Sequence, residues 1–410
     1  MTVPAFDLER AVRRNTFLLA ATLAVNSAVV QLVAAVSSLT FVYVTGVRGL
    51  LGLGPAIFLT SSGLMGAYGG RLMDRRGRRP VLMAGFLIGA VGCLVTALAV
   101  DARSTPGVIA GLVLLGASSA SSLLIRAAAG DMYTPERRAR GISYVLFGSV
   151  FGAVLGPTVF SPLFSNSAGE GRVLALAWLA ASALGVGSVA LVFLVRPDTK
   201  RIAELIGGVT EHAPVEAAAP LSVILRRPGV IPAMLAAFAS FGVMVSVMNL
   251  TGYVVVAKHH HAQHNVFPII GAHVLGMYAL VLFVGALIDR LGRTPALASG
   301  LLVMGASAIA LGWTSSVAAT AVLLFGLGIG WNISYVAASA ELADRSLPSE
   351  RGRLFGFNDL AAALFAATLA LLGGLALDSL GVAALAVAAA VIVTAPAPWI
   401  LRRKAVSTPA

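Results

Sequence analysis

Charged side chains are scarce in this sequence. Only 11% of the 410 residues are Asp, Glu, Lys or Arg, whereas 58% are hydrophobic. A soluble domain carries about 25% charged residues, because they cover its water-facing surface. So few charges exclude a soluble globular protein. They predict a multi-pass membrane protein whose main partner is the lipid bilayer.

Cysteine is nearly missing as well. Cys93 is the single cysteine and lies within an apolar stretch, so neither an internal disulfide nor a thiolate cluster can form. We expect Cys93 to serve in packing. The sequence also offers no combination of nucleophile, base and orienting partner, so we expect neither enzymatic activity nor a prosthetic group.

The charge that is present is mostly basic, with 29 Lys and Arg against 17 Asp and Glu and a net charge of +12. These residues occur in short segments between apolar stretches and are not interleaved with aromatic residues. We therefore expect no nucleic-acid binding. Basic connections between apolar spans are instead typical of membrane topology.

Long apolar stretches dominate the sequence, and a helix of about 20 residues crosses a bilayer. Twelve stretches reach this length: 16–44, 49–70, 80–100, 107–130, 142–165, 173–195, 230–256, 267–288, 296–314, 317–340, 355–376 and 381–401. When the connections alternate between two sides, most Lys and Arg residues collect on one side. The positive-inside rule then places both termini in the cytoplasm. We expect the membrane to be the plasma membrane.

Two motifs occur twice, once in each half of the chain. "GRLMDRRGRRPVL" begins at Gly70 and its second form "GALIDRLGRTPAL" at Gly285. Similarly, "DMYTPERRARG" begins at Asp131 and "DRSLPSERGR" at Asp344. Two recurrences at nearly one offset predict two parallel six-helix repeats.

The polar stretch 196–229 divides these repeats. We therefore predict an N-terminal six-helix bundle over 1–195, a cytoplasmic connection over 196–229, and a C-terminal bundle over 230–410. Residues 200–207 are expected to form a short helix on the membrane surface.

The pattern G-x-L-x-D-R-x-G-R after the second span resembles the signature of the major facilitator superfamily. The resemblance covers the whole chain, since both halves carry the motif. It implies an all-α fold of twelve transmembrane helices in two pseudo-symmetric bundles. It also implies a secondary transporter that works by alternating access around a site near mid-membrane.

The repeated motif supplies the candidate gating residues, and we expect its glycines Gly77 and Gly292 to form tight turns. Family resemblance assigns the motif to locking the cytoplasmic gate, whereas the simpler alternative is a plain determinant of topology. Arg126 is added because a charge inside a span is costly, and we expect it to contact Asp74 or Asp131. The candidates are Asp74, Arg75, Gly77, Arg126, Asp289, Arg290 and Gly292.

Small residues recur in span five, where Gly148, Gly152 and Gly156 are spaced by four. Such a stripe predicts a groove for a neighbouring helix. Polar residues within the spans are candidates for the cavity or, equally, for bonds between helices. They are Asn26, Gln31, Asn332 and Asn358.

Five of the six histidines lie between Met244 and Met277. Met244 and Met248 are four apart, as are His273 and Met277, so each pair shares a helix face. If spans seven and eight are antiparallel neighbours, the four side chains converge on one layer. Thioethers with imidazole suit Cu(I).

Four further histidines would gather the ion at the outer mouth: His259, His260, His261 and His264. The alternative is that the methionines fill gaps in the helix packing and that the loop histidines form a polar turn.

M-x-x-x-M in span seven with H-x-x-x-M in span eight resembles the CcoA-like branch of the superfamily. Members of this branch import copper, and relatives carry riboflavin. The resemblance implies that Met244, Met248, His273 and Met277 form a metal path, so we predict import of copper ion as the substrate by a monomer. Additional membrane cysteines belong to the copper-handling pattern, and this chain departs from it because Cys93 is its single cysteine.

The alternative function is transport of a small organic solute, either riboflavin-like uptake or proton-coupled drug efflux. Trp331 and Tyr335, four apart in span ten, favour it because aromatic side chains stack on flat ligands. No acidic residue lies deep in spans one, four, seven or ten, which weakens the case for a proton-driven pump.

Overall fold

The structure is a computed structural model that describes residues 8–50, 52–134, 138–165, 170–207, 219–346 and 348–402. Within these ranges every regular element is helical. The α-helices are α1 Leu8–Thr45, α2 Leu53–Arg76, α3 Arg78–Asp101, α4 Thr105–Gly130, α5 Arg138–Ser165, α6 Glu170–Phe193, α7 Thr199–Gly207, α8 Leu221–Leu225, α9 Val230–Tyr253, α10 Val266–Tyr278, α11 Val281–Leu291, α12 Arg293–Leu311, α13 Val317–Asp344, α14 Pro348–Thr394 and α15 Pro396–Leu401.

Ten helical segments of the described ranges are long and apolar enough to cross a bilayer. α2 contributes a shorter apolar segment, Leu53–Gly66. α14 combines predicted spans eleven and twelve, which separate at Gly381, where φ is 78°. With α2 and this division, the all-α fold with twelve predicted spans is confirmed.

Predicted span eight is built from α10 and α11, with a break of regular helix between them. Several helices also begin or end beyond the predicted spans, because a helix can continue past the hydrocarbon layer once its side chains reach water. In the central connection, the short helix expected over 200–207 is α7, Thr199–Gly207.

The glycine stripe of α5 forms the predicted groove, and α1 packs into it. A Cβ on Gly148 would lie 2.2 Å from the carbonyl oxygen of Ala20, and a Cβ on Gly152 would lie 2.5 Å from that of Ala24. Real Cβ atoms do not approach oxygen so closely. These two positions therefore need glycine for the backbones to meet.

The bundle has two faces, which we name by their connections. The basic face carries the turns at Gly77 and Gly292 and the described parts of the central connection, 196–207 and 219–229. The opposite face carries the connections 46–50 and 259–265.

The two halves meet closely toward the opposite face. A Cβ on Gly252 of α9 would lie 2.1 Å from the carbonyl oxygen of Ala35 in α1. A Cβ on Gly52 would lie 2.1 Å from that of Ala370 in α14. Both contacts join one half to the other, so the bundle is closed at this face.

Toward the basic face each half has its own apolar core. One core contains Leu19, Met73 and Ile125 of the N-terminal half. The other contains Ile224 and Leu342 of the C-terminal half. A larger core spans both halves, and its members in the N-terminal half, such as Val33 and Val100, lie farther from the basic face. The halves are therefore joined near the opposite face and separate toward the basic face.

Candidate substrate site and gate

The two motif turns have the same unusual backbone. Gly77, between α2 and α3, has φ 93° and ψ 167°, and Gly292, between α11 and α12, has φ 83° and ψ 155°. Side chains other than glycine rarely adopt this conformation. The prediction that both glycines serve a tight turn is confirmed.

Asp198, just after α6, caps the start of α3. Its Oδ1 accepts a hydrogen bond from the backbone N–H of Arg78 at 3.2 Å, and its Oδ2 accepts one from Arg79 at 2.9 Å. A carboxylate at a helix N-terminus satisfies free N–H groups and the helix dipole. Sequence reasoning missed Asp198, since only the fold brings it to the motif.

The second repeated motif pairs with the first in both halves. Nε of Arg78 lies 2.7 Å from Oδ2 of Asp131, and Nε of Arg293 lies 3.3 Å from Oδ2 of Asp344. Arg78 and Arg293 each follow the turn glycine, and Asp131 and Asp344 each begin the second motif. The internal repeat therefore extends to equivalent ion pairs on the basic face.

The acidic gating candidates, Asp74 and Asp289, lie in α2 and α11. Their side chains fall outside the described part of the structure, so their role stays a prediction. Arg75 and Arg290 are exposed near the ends of the same helices. Their gating role is likewise a prediction.

Arg126 lies half-buried on α4 and faces the other half of the protein. Its guanidinium group is within electrostatic range of the hydroxyls of Tyr278 and Tyr335, which belong to α10 and α13. Its expected contact with Asp74 or Asp131 stays a prediction. Arg126 therefore lies on the side of α4 that approaches the tyrosines of the C-terminal half.

Four aromatic side chains, the aromatic cluster, pack together in the C-terminal half. Trp331 and Tyr335 are stacked, with centroids 5.1 Å apart and an interplanar angle of 16°. Tyr278 meets the edge of Trp331 at 6.1 Å, and Phe241 lies 6.2 Å from Tyr335. The cluster joins α9, α10 and α13 into one aromatic surface.

Polar groups border the aromatic cluster. The Tyr335 hydroxyl donates to Oδ1 of Asp359 at 3.4 Å, and the Asn358 amide donates to the same oxygen at 3.3 Å. Among the described residues, the buried Nε1 of Trp331 and Oδ1 of Asn358 have no hydrogen-bond partner. One donor and one acceptor are therefore available to a ligand.

The remaining polar candidates bond between helices. The bonds join Asn26 to the Ser122 hydroxyl, Gln31 to the Gly152 carbonyl, and Asn332 to the Met277 carbonyl. Each bond gives an amide N–H group an acceptor, and an amide N–H without an acceptor would be costly in the membrane. These contacts favour the alternative that the three residues connect helices.

The predicted metal path is buried. Met244, Met248 and Met277 are 2%, 7% and 7% exposed and belong to the core that spans both halves. His273 is fully buried, and its Nδ1 donates to the carbonyl oxygen of Leu324 at 2.7 Å. Its Nε2 has no partner among the described residues.

The assumption that spans seven and eight are direct neighbours is wrong along most of their length. α10 packs mainly against α13 and α5, whereas α9 packs mainly against α14, α13 and α1. The two helices follow one another in sequence and both pack against α13, but they contact each other little. Convergence of the four side chains on one layer therefore stays a prediction.

The loop histidines occupy different surroundings. Nε2 of His261 bonds to the carbonyl oxygen of Ser315 at 2.6 Å, and the rings of His259 and His261 lie 6.4 Å apart. Burial, followed by the charges of His261 and His260, lowers the pKa of His259. The carbonyl of His264 accepts a bond from Ser161. Within the described residues, no three His, Cys, Asp or Glu side chains form a group suited to a metal ion.

Comparison with known proteins gives matches along the whole chain. The profile of the Major Facilitator Superfamily matches residues 15–269 and 252–409. The uncharacterized MFS-type transporter YdeG of Bacillus subtilis (strain 168) is 31% identical over 336 residues, covering 80% of this chain and 78% of that protein. The riboflavin transporter RfnT of Brucella anthropi is 31% identical over 288 residues, covering 70% of each.

Among solved structures, the inward-open xylose transporter XylE from E. coli superimposes with a TM-score of 0.76 at 15% identity, covering 95% of this chain and 96% of that one. At this identity the likeness concerns the fold. Together with the profile match and the sequence relatives, it identifies the chain as a member of the Major Facilitator Superfamily.

Proposed function

We propose that this chain carries a flat aromatic organic solute, with a riboflavin-like ring system, across the plasma membrane by alternating access. The observation that carries the proposal is the stacked pair Trp331 and Tyr335, whose Trp331 N–H is buried without a partner among the described residues. An aromatic face with an available donor at its edge suits a ring that stacks and accepts a hydrogen bond.

Charges around the aromatic cluster support a polar aromatic solute over a purely apolar one. Arg126 reaches the cluster from the N-terminal half, and Asp359 borders it from α14. A solute between them would contact both halves, so its binding would respond to their relative movement. Alternating access requires this differential contact.

The relative RfnT supports the same substrate class, since its name assigns it riboflavin and it is 31% identical to this chain. The isoalloxazine ring of riboflavin is flat and carries hydrogen-bonding groups along one edge. With the positive-inside rule, the basic face is cytoplasmic. The present state, closed at the opposite face, then faces inward.

The test is uptake of radiolabelled riboflavin into cells that lack other riboflavin uptake. We expect the wild type to accumulate it and Trp331→Ala to lower kcat/KM by about 5- to 150-fold, since stacking on an aromatic ring contributes about 1–3 kcal/mol. Trp313→Ala is the matched control, because Trp313 is 68% exposed at the opposite face. No uptake by the wild type, or equal uptake by Trp331→Ala, would overturn the proposal.

Copper import is the second candidate, and His273 is the observation that favours it. Histidines that bind metals usually donate their other ring N–H to a backbone carbonyl or carboxylate. His273 does so through Nδ1 and leaves Nε2 available, with three buried methionines in the same core. The limited contact between α9 and α10 argues against copper import, because the methionines and His273 lie on these two helices.

Copper content of copper-limited cells separates the two candidates. A copper importer raises the metal in the wild type and loses the rise in His273→Ala and Met244→Ala at matched membrane abundance. Met234→Ala serves as control, because Met234 is a buried methionine of the separate basic-face core. Copper that is unchanged in all four strains would contradict copper import and leave the flavin test unaffected.

A further inference from the structure

A cavity lies in the C-terminal half, away from the aromatic cluster. Its volume is about 340 Å³, and α9, α12 and α14 provide most of its wall. The lining is almost entirely aliphatic and includes Val243, Leu250, Ala308 and Ala389. Native interiors contain few voids larger than one water molecule. A cavity of this size is therefore a binding space rather than a packing fault.

The cavity extends in depth over more than one leaflet of a bilayer. It is lined from Val243, near the middle of α9, to His259 at the opposite face. At 1.5 Å per residue this run of helix covers roughly 24 Å. One leaflet of the hydrocarbon core is about 15 Å thick, so the cavity can accept a chain that reaches from the interface to mid-membrane.

The cavity opens sideways toward the membrane. Leu372 and Leu380 of α14 line it and are 55% and 62% exposed. In a membrane, exposed leucines on a transmembrane helix face the hydrocarbon chains of lipids. An apolar cavity does not hold ordered water stably, so the chains at its opening are the natural occupant.

Polar groups are found at the end nearest the opposite face. Nδ1 of His259 is buried there without a partner among the described residues, and His259 lines the cavity. The side chain of the adjacent Lys258 is 33% exposed, and its ammonium lies 2.7 Å from Oδ1 of Asp378. A hydrogen-bonding and basic group at this end suits the phosphate region of a lipid.

We propose that this cavity binds one acyl chain of an anionic phospholipid from the leaflet at the opposite face, with its headgroup beside Lys258 and His259. The chain fills the space between α9, α12 and α14. Because α9 contacts α1 and α14 contacts α2 across the two halves, the lipid supports the helices that form the closed face.

Photo-crosslinking tests this site. The full-length protein is reconstituted into vesicles that contain phosphatidylglycerol with a diazirine in the acyl chain, irradiated and digested, and the labelled peptides are identified. We expect labelling concentrated in α9 and α14. Ala389→Phe, which fills the cavity, is expected to lose most of it. Ala384→Phe, on the same helix at an exposed position outside the lining, is expected to keep it.

Two results would overturn the proposal. Labelling spread evenly over all lipid-facing helices, and equal in both variants, would mean that the cavity binds no particular lipid. Labelling by a diazirine fatty acid but not by the phospholipid would mean that the occupant is a free single-chain acid. Thermal unfolding of both variants, compared with the wild type, shows that each is folded before labelling is compared.

Discussion

Asp198 lies against Gly77, so that a Cβ placed on Gly77 would come within 2.8 Å of the carboxylate Oδ2. The equivalent glycine of the second repeat, Gly292, is less crowded: its nearest neighbour would be Cδ of Pro295 at 3.7 Å. The two turns share one backbone conformation but differ in what surrounds them. Matched substitutions can therefore separate backbone strain from steric crowding.

We predict that Gly77→Ala destabilises the protein more than Gly292→Ala. Both variants carry the backbone strain of the turn, about 1–3 kcal/mol, and Gly77→Ala also displaces Asp198. The measurement is Tm in detergent. Asp198→Ala alone should cost about 1 kcal/mol through loss of the helix cap. The double variant Gly77→Ala with Asp198→Ala should be less unstable than the sum of the single effects. Strict additivity would contradict the contact.

The two equivalent ion pairs should differ in strength. Arg78 and Asp131 are 15% and 23% exposed, whereas Arg293 and Asp344 are 33% and 56% exposed. We predict that Asp131→Asn lowers stability by about 1 kcal/mol and Asp344→Asn by less, because solvent weakens exposed pairs. Unfolding at low and high salt checks this result. Equal losses from both variants would show that exposure does not set the difference.

Glu350 should be among the most sensitive positions of the basic face. Its side chain is fully buried, accepts from Nη2 of Arg227 at 2.8 Å, and accepts from the backbone N–H of Ala219 at 3.2 Å. We predict a larger fall in Tm for Glu350→Gln than for Asp378→Asn, because Asp378 pairs with Lys258 at an exposed position. Removing the partner of a buried charge lowers stability more than removing the partner of an exposed charge. Similar falls in Tm would contradict this ranking.

Closure of the opposite face should depend on Gly252. Gly252→Leu would collide with the carbonyl of Ala35, so we expect it to shift the population toward states that are open at this face. The measurement is maleimide labelling of Ser38→Cys in a Cys93→Ala background, using purified protein. Ser38 is 1% exposed in the closed state. Gly187→Leu is the control, because a Cβ at Gly187 meets nothing within 4 Å. Unchanged labelling in Gly252→Leu would show that this contact does not hold the face closed.

Sequence patterns predicted features that depend on local spacing. Apolar length gave the spans, and the glycine stripe at Gly148 and Gly152 gave the groove for α1, because both follow from helix geometry alone. The turn glycines Gly77 and Gly292 were predicted for the same local reason. The boundary inside α14 was predicted between 376 and 381, and the structure has its break at Gly381. The break of regular helix inside predicted span eight, between α10 and α11, needed the structure.

Features that depend on which helices are neighbours were not predictable. The prediction that Met248 and His273 converge on one layer assumed that consecutive spans pack together. α9 and α10 do not pack together along most of their length. Asp198 was missed for the same reason. The spacing of Trp331 and Tyr335 identified them as a pair. Their proximity to Tyr278 and Arg126 could be seen only in the structure.

The beginning of the central connection is held by the N-terminal half. Asn15 donates to the carbonyl of Pro197 at 3.1 Å and accepts from the N–H of Arg196 at 3.3 Å, and Asp198 binds the start of α3. Its far end is held by the C-terminal half through Glu350.

These anchors make the intervening chain a tether of limited reach. The nine residues of α7 cover about 13 Å as a helix. Residues 208–218 can add at most about 36–40 Å, even when fully extended. The distance between the two anchor points therefore has an upper bound set by covalent length, whatever substrate is carried. Each residue deleted from 208–218 would lower that bound by about 3.3–3.6 Å.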